Sequence, residues 1–518
     1  MGNRDCTISN LFKKYRDDQL ITRLEQYSIW TIPSVFPECR ALMEHGNATI
    51  VHDYQSVGAL LVNRLATKLA SSLFPVGTSF FRIEINEDVK QVIKSQTGLS
   101  DADVNTRFIQ YENDACRRLF YGASYAQLVQ ALRLLIITGE ALLQRVDNRI
   151  KVYSLHNYVL RRNNVGDVLD IIIKERKLYS ELTSELKKLV REHDDDASLE
   201  LYTRVTKAVK QGVITWNVTQ ELDGVSLGKD YSTTYLDKLC PYIPVVWNHV
   251  NGDNYGRGYV EEYAGDFAKL SELSESLTNY ELECLKLLYV NNPNGGLDLE
   301  HWASAAIGEV ISGDPNAIQP LDAGSYQKIQ QIADNLQTVE QRLGTAFMYT
   351  GNTRDGERVT AYEIEMNARE AESVLGGVYS QLSLGMHLPL AYLLLYEVDQ
   401  SILTDFLSGT IEFNILTGLV ALSKNSENQS LLLAANQIAA TVPVFAQMPE
   451  YNVTKIVDSI LLANGIDPST LKKSKEELQQ EARVQEQNYQ QQQQQLMQQQ
   501  NQLANTEAVQ MAQGGGLY

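Results

Sequence analysis

At 518 residues and 58.2 kDa the chain exceeds what one ordinary core supports, so the expectation is roughly two to four domains or one elongated, multi-segment protomer. Hydrophobic residues make up 44% and charged residues 21%, which excludes an intrinsically disordered chain. A formal net charge of −19 makes the summed field repel phosphate, and so excludes tight nucleic-acid binding by the whole surface.

The segment Met1 to Leu20 mixes Arg4, Asp5, Lys13, Lys14, Arg16 and Asp17 with few apolar residues and lacks the continuous apolar stretch of a secretory signal, so export by that route is not expected. The most apolar stretches, Ala131 to Gln144 and His387 to Val398, are short, and the first carries Arg133 and Glu140; neither is expected to span a bilayer. Cys6, Cys39, Cys116, Cys240 and Cys284 are dispersed with no paired spacing, which reads as free thiols made in a reducing cytoplasm.

Between Ser56 and Leu73, Val57, Leu60, Leu61, Leu65, Leu69 and Leu73 recur at helical spacing, stopped by Phe74-Pro75. Phe80 to Ile85 alternates as a strand, and helices are expected over Asn105 to Leu119 and Ser124 to Ile137. Val152 to Tyr158, Val168 to Ile173, Lys207 to Val218 and Cys240 to His249 read as strands, the last placed at an edge by Pro241 and Pro244. Ser180 to Ser198 is charged and ends in His193-Asp194-Asp195-Asp196; without calcium-loop spacing it reads as a solvated loop.

From Asp266, taken as a cap, Phe267, Leu270, Leu273, Leu277, Cys284 and Leu288 step by threes and fours along a long helix ended at Asn291 to Gly296. A turn-rich insertion with Leu297, Leu299, Trp302, Ile307, Val310 and Ile311 runs to Asp322. A second long helix, capped by Asp322 or Ser325, carries Ile329, Ile332, Leu336, Val339, Leu343 and Phe347 opposite a polar face. After the polar loop Thr350 to Arg358, Thr360 and Glu363 form the capping box of a third helix with Ala361, Ile364, Ala368, Ala371, Leu375, Val378 and Leu382. Gly376-Gly377, Gly385 and Pro389 are places for it to bend. Helices are expected around Ile415 to Leu419, Leu431 to Ala440 and Val453 to Leu462, and the glutamine-rich tail from Ser474 is either disordered or a self-associating helix.

No phosphate-binding Gly-x-x-x-x-Gly-Lys-Ser/Thr or Gly-x-Gly-x-x-Gly, no His-Glu-x-x-His and no Gly-x-Ser-x-Gly occurs, and His45, His52, His156, His193, His249, His301 and His387 lie singly. The expectation is therefore a protein that is not an enzyme, with no cofactor and no metal. A metal-dependent hydrolase using His193 with Asp194 to Asp196 stands as the enzymatic rival.

The order long helix, small insertion, long helix, polar loop, long kinked helix resembles the plan of the portal, or head-to-tail connector, subunits of short-tailed, podovirus-type bacteriophages. The strings that carry the resemblance are Gly308-Glu309-Val310-Ile311-Ser312-Gly313, Ile318-Gln319-Pro320-Leu321, Arg358-Val359-Thr360-Ala361-Tyr362-Glu363-Ile364 and Leu375-Gly376-Gly377-Val378-Tyr379-Ser380-Gln381-Leu382. They cover 266–440 well, and the first 265 residues fit only in texture. The resemblance implies an α+β, predominantly helical protomer of wing, stem, clip and crown segments. Residues 1–265 would be the N-terminal wing, 266–290 and 326–349 stem helices, 291–325 the clip, 350–358 the tunnel loop, 359–400 the long kinked helix, 401–465 the rest of the wing and 466–518 the crown.

It further implies a ring of twelve at one capsid vertex of the virion, through which double-stranded DNA is packaged and ejected without sequence-specific binding. Implied partners are the major capsid protein and scaffold, the terminase packaging ATPase, tail adaptor proteins and internal core or ejection proteins, with no membrane. In the tunnel loop Asn352, Arg354 and Arg358 face the DNA. For the two arginines two readings stand: transient phosphate contact, or capping and intersubunit salt bridges. Gly376 and Gly377 mark the bend. The structural rival is another phage component, such as a tail adaptor or internal core protein.

Overall fold

The computed structural model describes residues 7–38, 50–76, 79–85, 101–120, 124–284, 326–349, 361–399 and 413–418, with shorter runs between 288 and 321 and between 434 and 463. Contacts divide the chain into two units, Met1–Lys424 and Asn425–Tyr518.

Two helices precede the first expected one. The first, α1 (Ile8–Tyr15), buries Phe12 against Val159, Ile172 and Tyr202 of the large sheet. Thr7 offers it no side-chain cap; the buried Glu221 carboxylate instead accepts from Ile8 N and Ser9 N at 2.6 and 3.3 Å, placing negative charge at the positive helix end. In α2 (Asp18–Trp30) the cap is local, Asp17 accepting from Gln19 N and Leu20 N at 3.1 and 3.0 Å. The expected stripe of α3 (Val57–Leu73) buries Leu61, Leu65, Leu69 and Leu73. Next come β1 (Phe81–Ile85), α4 (Asp101–Phe120) and α5 (Ser124–Thr138), the last buried on nearly every side.

The apolar stretch Ala131 to Gln144 changes element in its middle. Gly139, at φ +80°, turns the chain from α5 into β2 (Glu140–Val146). Asp147 and Asn148, at φ 47° and 60°, form the two-residue turn to β3 (Arg149–Tyr153). Val152 to Tyr158 is not one strand: a turn in which Asn157 N donates to Ser154 O at 2.8 Å separates β3 from β4 (Tyr158–Arg162). The strand expected at Val168 extends to Leu178 as β5 (Val168–Leu178). The charged stretch that follows contains a short helix, α6 (Ser184–Leu189), over a satellite core of Tyr179, Leu182, Val190, Leu199 and Leu222. Lys207 to Val218 belongs to two strands, β6 (Ser198–Lys210) and β7 (Val213–Leu222), reversed at Gln211 and Gly212 with φ 52° and 82°. Then follow β8 (Val225–Ser226), β9 (Thr233–Leu236) and β10 (Tyr242–Val246).

Strands β4-β5-β6-β7-β8 form one antiparallel sheet, with β9 also on β7, and β10-β2-β3 form a second. The prolines placed β10 correctly: it is an edge strand, with Pro244 opposite Leu142.

Beyond Gly258 come α7 (Tyr259–Glu262) and α8 (Ala264–Cys284). Asp266 sits in the first turn of α8 rather than at its cap. The helix does not reach Leu288, because Leu288 to Asn291 is strand β11 (Leu288–Asn291). After α9 (Leu299–Ser304), β12 (Ile318–Leu321) pairs with β11, so the insertion is closed at its base by a ribbon. The second long helix is α10 (Tyr326–Ala346); Asp322 and Ser325, its expected caps, lie outside the described residues.

The third helix is broken into α11 (Ala361–Val374), α12 (Val378–Leu382), a π-helical turn over Ser383–His387, and α13 (Leu388–Val398). From Val378 to Val398 it is long and apolar enough to cross a membrane by length and composition, and much of it is core, with Leu390, Ala391 and Leu394 fully buried. The helix expected at Ile415 is a strand, β13 (Phe413–Thr417), in which Phe413, Ile415 and Thr417 alternate and which pairs antiparallel with β1. In the second unit a helix spans 434–443 and another Val453–Ala463, near the expected positions. The tail from Ser474 lies outside the described residues.

Candidate functional site

Helices α8 and α10, of 21 residues each, run antiparallel as a hairpin about 30 Å long at helical rise. One end is fixed by the ion pair of Arg342 with Asp266, the other by the β11–β12 ribbon. At the first end Phe347 meets the rings of Tyr259, Phe267 and Tyr263 at centroid distances of 4.9, 5.6 and 5.8 Å. Tyr259 also lies 5.7 Å from the fully buried Trp247 and donates its hydroxyl to Ala346 O at 2.9 Å. The sequence places aromatics at 259, 263 and 267 so that successive turns present them on one face.

The apolar stripe of the hairpin is only partly covered. Phe267, Leu270, Val339, Leu343 and Phe347 are buried, whereas Leu273, Leu277, Ile329, Ile332 and Leu336 are half-buried and Leu282 is 56% exposed. The two helices carry Asp266, Glu272, Glu275, Glu281, Glu283, Asp334 and Glu340 against Lys269, Lys328 and Arg342. Seven carboxylates against three cations make the hairpin unattractive to phosphate.

The chain enters this hairpin through a tightly threaded loop. Glu140, fully buried, accepts from the Arg162 guanidinium and from Gly256 N at 2.8 Å. Burial pushes its carboxyl up to about 7, against the attraction of Arg162. Arg162 also donates to Asn254 O at 3.1 Å and Gly166 O at 2.9 Å, so one buried pair sews the 252–258 loop to β2 and β4. Nothing in the sequence pairs positions 140 and 162; an acid next to a glycine inside an apolar run was the sole signal.

In the interrupted helix Gly376 and Gly377 adopt φ +62° and +93°, left-handed values that end α11. Glu372 bridges the break by accepting from Ser380 N and Ser380 Oγ at 2.9 and 2.6 Å. His387, in the π-helical turn, lies 4.9 and 5.0 Å from the rings of Phe74 and Phe80, and its burial lowers it to about 3, so it stays neutral. Arg145 grips Glu397 with two bonds of 2.9 Å near the far end.

Asn352, Arg354 and Arg358 lie outside the described residues. His193 Nε2 is 3.1 Å from Asp223 Oδ2, and Asp194, Asp195 and Asp196 are exposed. Among the described residues no group of three or more His, Cys, Asp or Glu could hold a metal.

A family model described as bacteriophage head to tail connecting protein matches residues 13–471. The chain belongs to that family. The portal protein of Pseudomonas phage phiKMV is 38% identical over 93% of this chain and 94% of its own length. That of Escherichia phage T7 is 30% identical over 93% and 91%. A solved structure of a gene transfer agent virion covers 86% of this chain and 94% of its own at 11% identity and a TM-score of 0.35, too loose a likeness to carry an argument. The role of this connector is that of a phage portal, joining head to tail.

Proposed function

We propose that copies of this chain build a ring of twelve at one vertex of the capsid, and that the α8–α10 hairpin is its stem. The clip is 291–325, the tunnel loop 350–358, the kinked helix 359–400, the wing 1–265 with 401–465, and the crown 466–518. The observation that carries this is the hairpin itself: an acid-rich pair of helices, locked at one end by aromatics, whose apolar stripe a single copy leaves half-covered. Neighbouring stems would cover that stripe and turn the carboxylates toward a bore that DNA passes without being held. Gly376 and Gly377 supply the bend of the kinked helix, and Asn352, Arg354 and Arg358 face the duplex.

The protein acts as a structural part and performs no chemistry of its own. The ring is the docking platform for the terminase ATPase during packaging and for tail adaptors afterwards, within a shell of major capsid protein laid on scaffold, with internal core proteins above. Electron microscopy in negative stain, with mass by light scattering, tests the ring on the purified full chain. Rings with a central hole are expected; a monomer at every salt and protein concentration overturns the reading. For the loop, Arg354→Ala with Arg358→Ala should alter packaged genome length or DNA retention, and unchanged values of both remove the phosphate-contact role.

A further inference from the structure

The free edge of β3 faces a cleft. In the β2–β3 hairpin Val146 lies opposite Arg149 across the turn, Gln144 opposite Lys151 and Leu142 opposite Tyr153. In a two-residue hairpin the pair flanking the turn exchanges its hydrogen bonds, and the pattern alternates from there. Ile150 and Val152 therefore turn their N–H and C=O groups away from β2, and among the described strands none pairs with that edge. In front of it lies a cleft of about 380 Å³, walled on one side by Gln127 and Gln130 of α5 and on the other by Glu175 and Arg176 of β5. Val35, Leu134 and Val152 give it an apolar floor.

Its charge is opposite to that of the chain. Lys151 and Arg176 outnumber the one lining carboxylate, Glu175, which is engaged by Lys151 and by the Tyr153 hydroxyl at 3.0 Å. Arg149 and Lys177, both exposed, flank them on a chain of net charge −19. Cations on an edge strand guard it against pairing with a basic or neutral strand, yet they favour one that brings carboxylates.

We propose that this cleft docks an extended acidic segment of a partner protein, which adds to the β10-β2-β3 sheet as a fourth strand at β3. Main-chain bonds to Ile150 and Val152 hold it; alternate side chains reach the apolar floor, and the others set carboxylates against Arg149, Lys151 and Arg176. The inference does not rest on ring formation, so its failure and that of the connector role are separable.

The test titrates the full-length protein with a fluorescein-labelled peptide of about eight residues alternating Glu and Val, a length that matches an ordinary strand. Saturable binding is expected, weakened at least about tenfold when alternate peptide nitrogens are methylated, when Lys replaces Glu, or when Lys151→Glu is combined with Arg149→Glu. The methylated peptide needs no protein variant, so misfolding cannot imitate its effect. Equal binding of the methylated peptide, or no saturation by about 100 µM, overturns the proposal. Displacement of the peptide by a duplex oligonucleotide as effectively as by unlabelled peptide makes it a phosphate site and also overturns it. Self-association of the protein that the peptide dissolves would make the occupant a second copy, equally against the assignment.

Discussion

Replacing Phe347 with alanine should free the stem hairpin from the body it is rooted in. Phe347 is fully buried among three aromatic rings at 4.9 to 5.8 Å. A phenylalanine buries about 150 Å² or more, which at roughly 25 cal/mol per Å² is about 4 kcal/mol. That agrees with the roughly 3–5 kcal/mol that Phe-to-Ala changes cost in cores. Because the loss falls where α10 ends against α7 and α8, it should appear first as local opening of the hairpin. At about 1.4 kcal/mol per factor of ten, amide hydrogen exchange through Phe267 to Leu277 should speed up on the order of a hundredfold or more, while β5 and β6 exchange as before. Phe347→Leu keeps most of the volume and should cost about 1 kcal/mol. Mass-spectrometric exchange on both variants decides the matter. Unchanged exchange across Phe267 to Leu277 in Phe347→Ala would refute the aromatic lock as the root of the stem.

Two further outcomes follow from the loop threaded between α5 and the stem. A Cβ on Gly139 would lie 2.4 Å from the Arg257 carbonyl carbon at φ +80°, whereas one on Gly212, at φ +82°, meets nothing within 4 Å. Gly212→Ala should therefore cost only the roughly 1–2 kcal/mol of a left-handed alanine, and Gly139→Ala clearly more; equal shifts in the thermal midpoint would sink the close-approach explanation. Glu140, with its folded value raised from 4.5 to about 7, contributes stability that is fully present below 4.5 and lost as pH rises through about 7. Denaturant unfolding of the full chain should show that decline, and Glu140→Gln should remove it; a parallel decline in the variant would assign the slope to other groups.

Much of this architecture is legible in residue spacing. The stripes of α3, α5 and α10 and the prolines of β10 each follow from one local rule, and tertiary packing agrees with it. Where reading failed, two elements shared one apolar run. Ala131 to Gln144 conceals the change of period at Gly139, and Leu288 falls on the helical stripe of α8 although it belongs to a strand. The run at Ile415 is too short for periodicity to separate helix from strand, and its partner β1 lies far upstream. The Glu140–Arg162 pair and the Glu221 cap on α1 are meetings of distant residues, which no local spacing encodes. The family strings between Gly308 and Leu382 needed no such geometry, and for that reason the role was readable before the packing.

The cap on α1 sets a timetable for synthesis. Glu221 follows Ile8 by 213 residues, so at roughly 5–20 residues per second the helix waits about 10–40 s for the carboxylate that completes it. The strands that Phe12 packs on, β4, β5 and β6, are also made after it. Throughout that interval the nascent chain carries Ile8, Leu11 and Phe12 with nothing to settle against, within reach of chaperones and proteases. The first helix translated is thus bound to be among the last of its unit to dock.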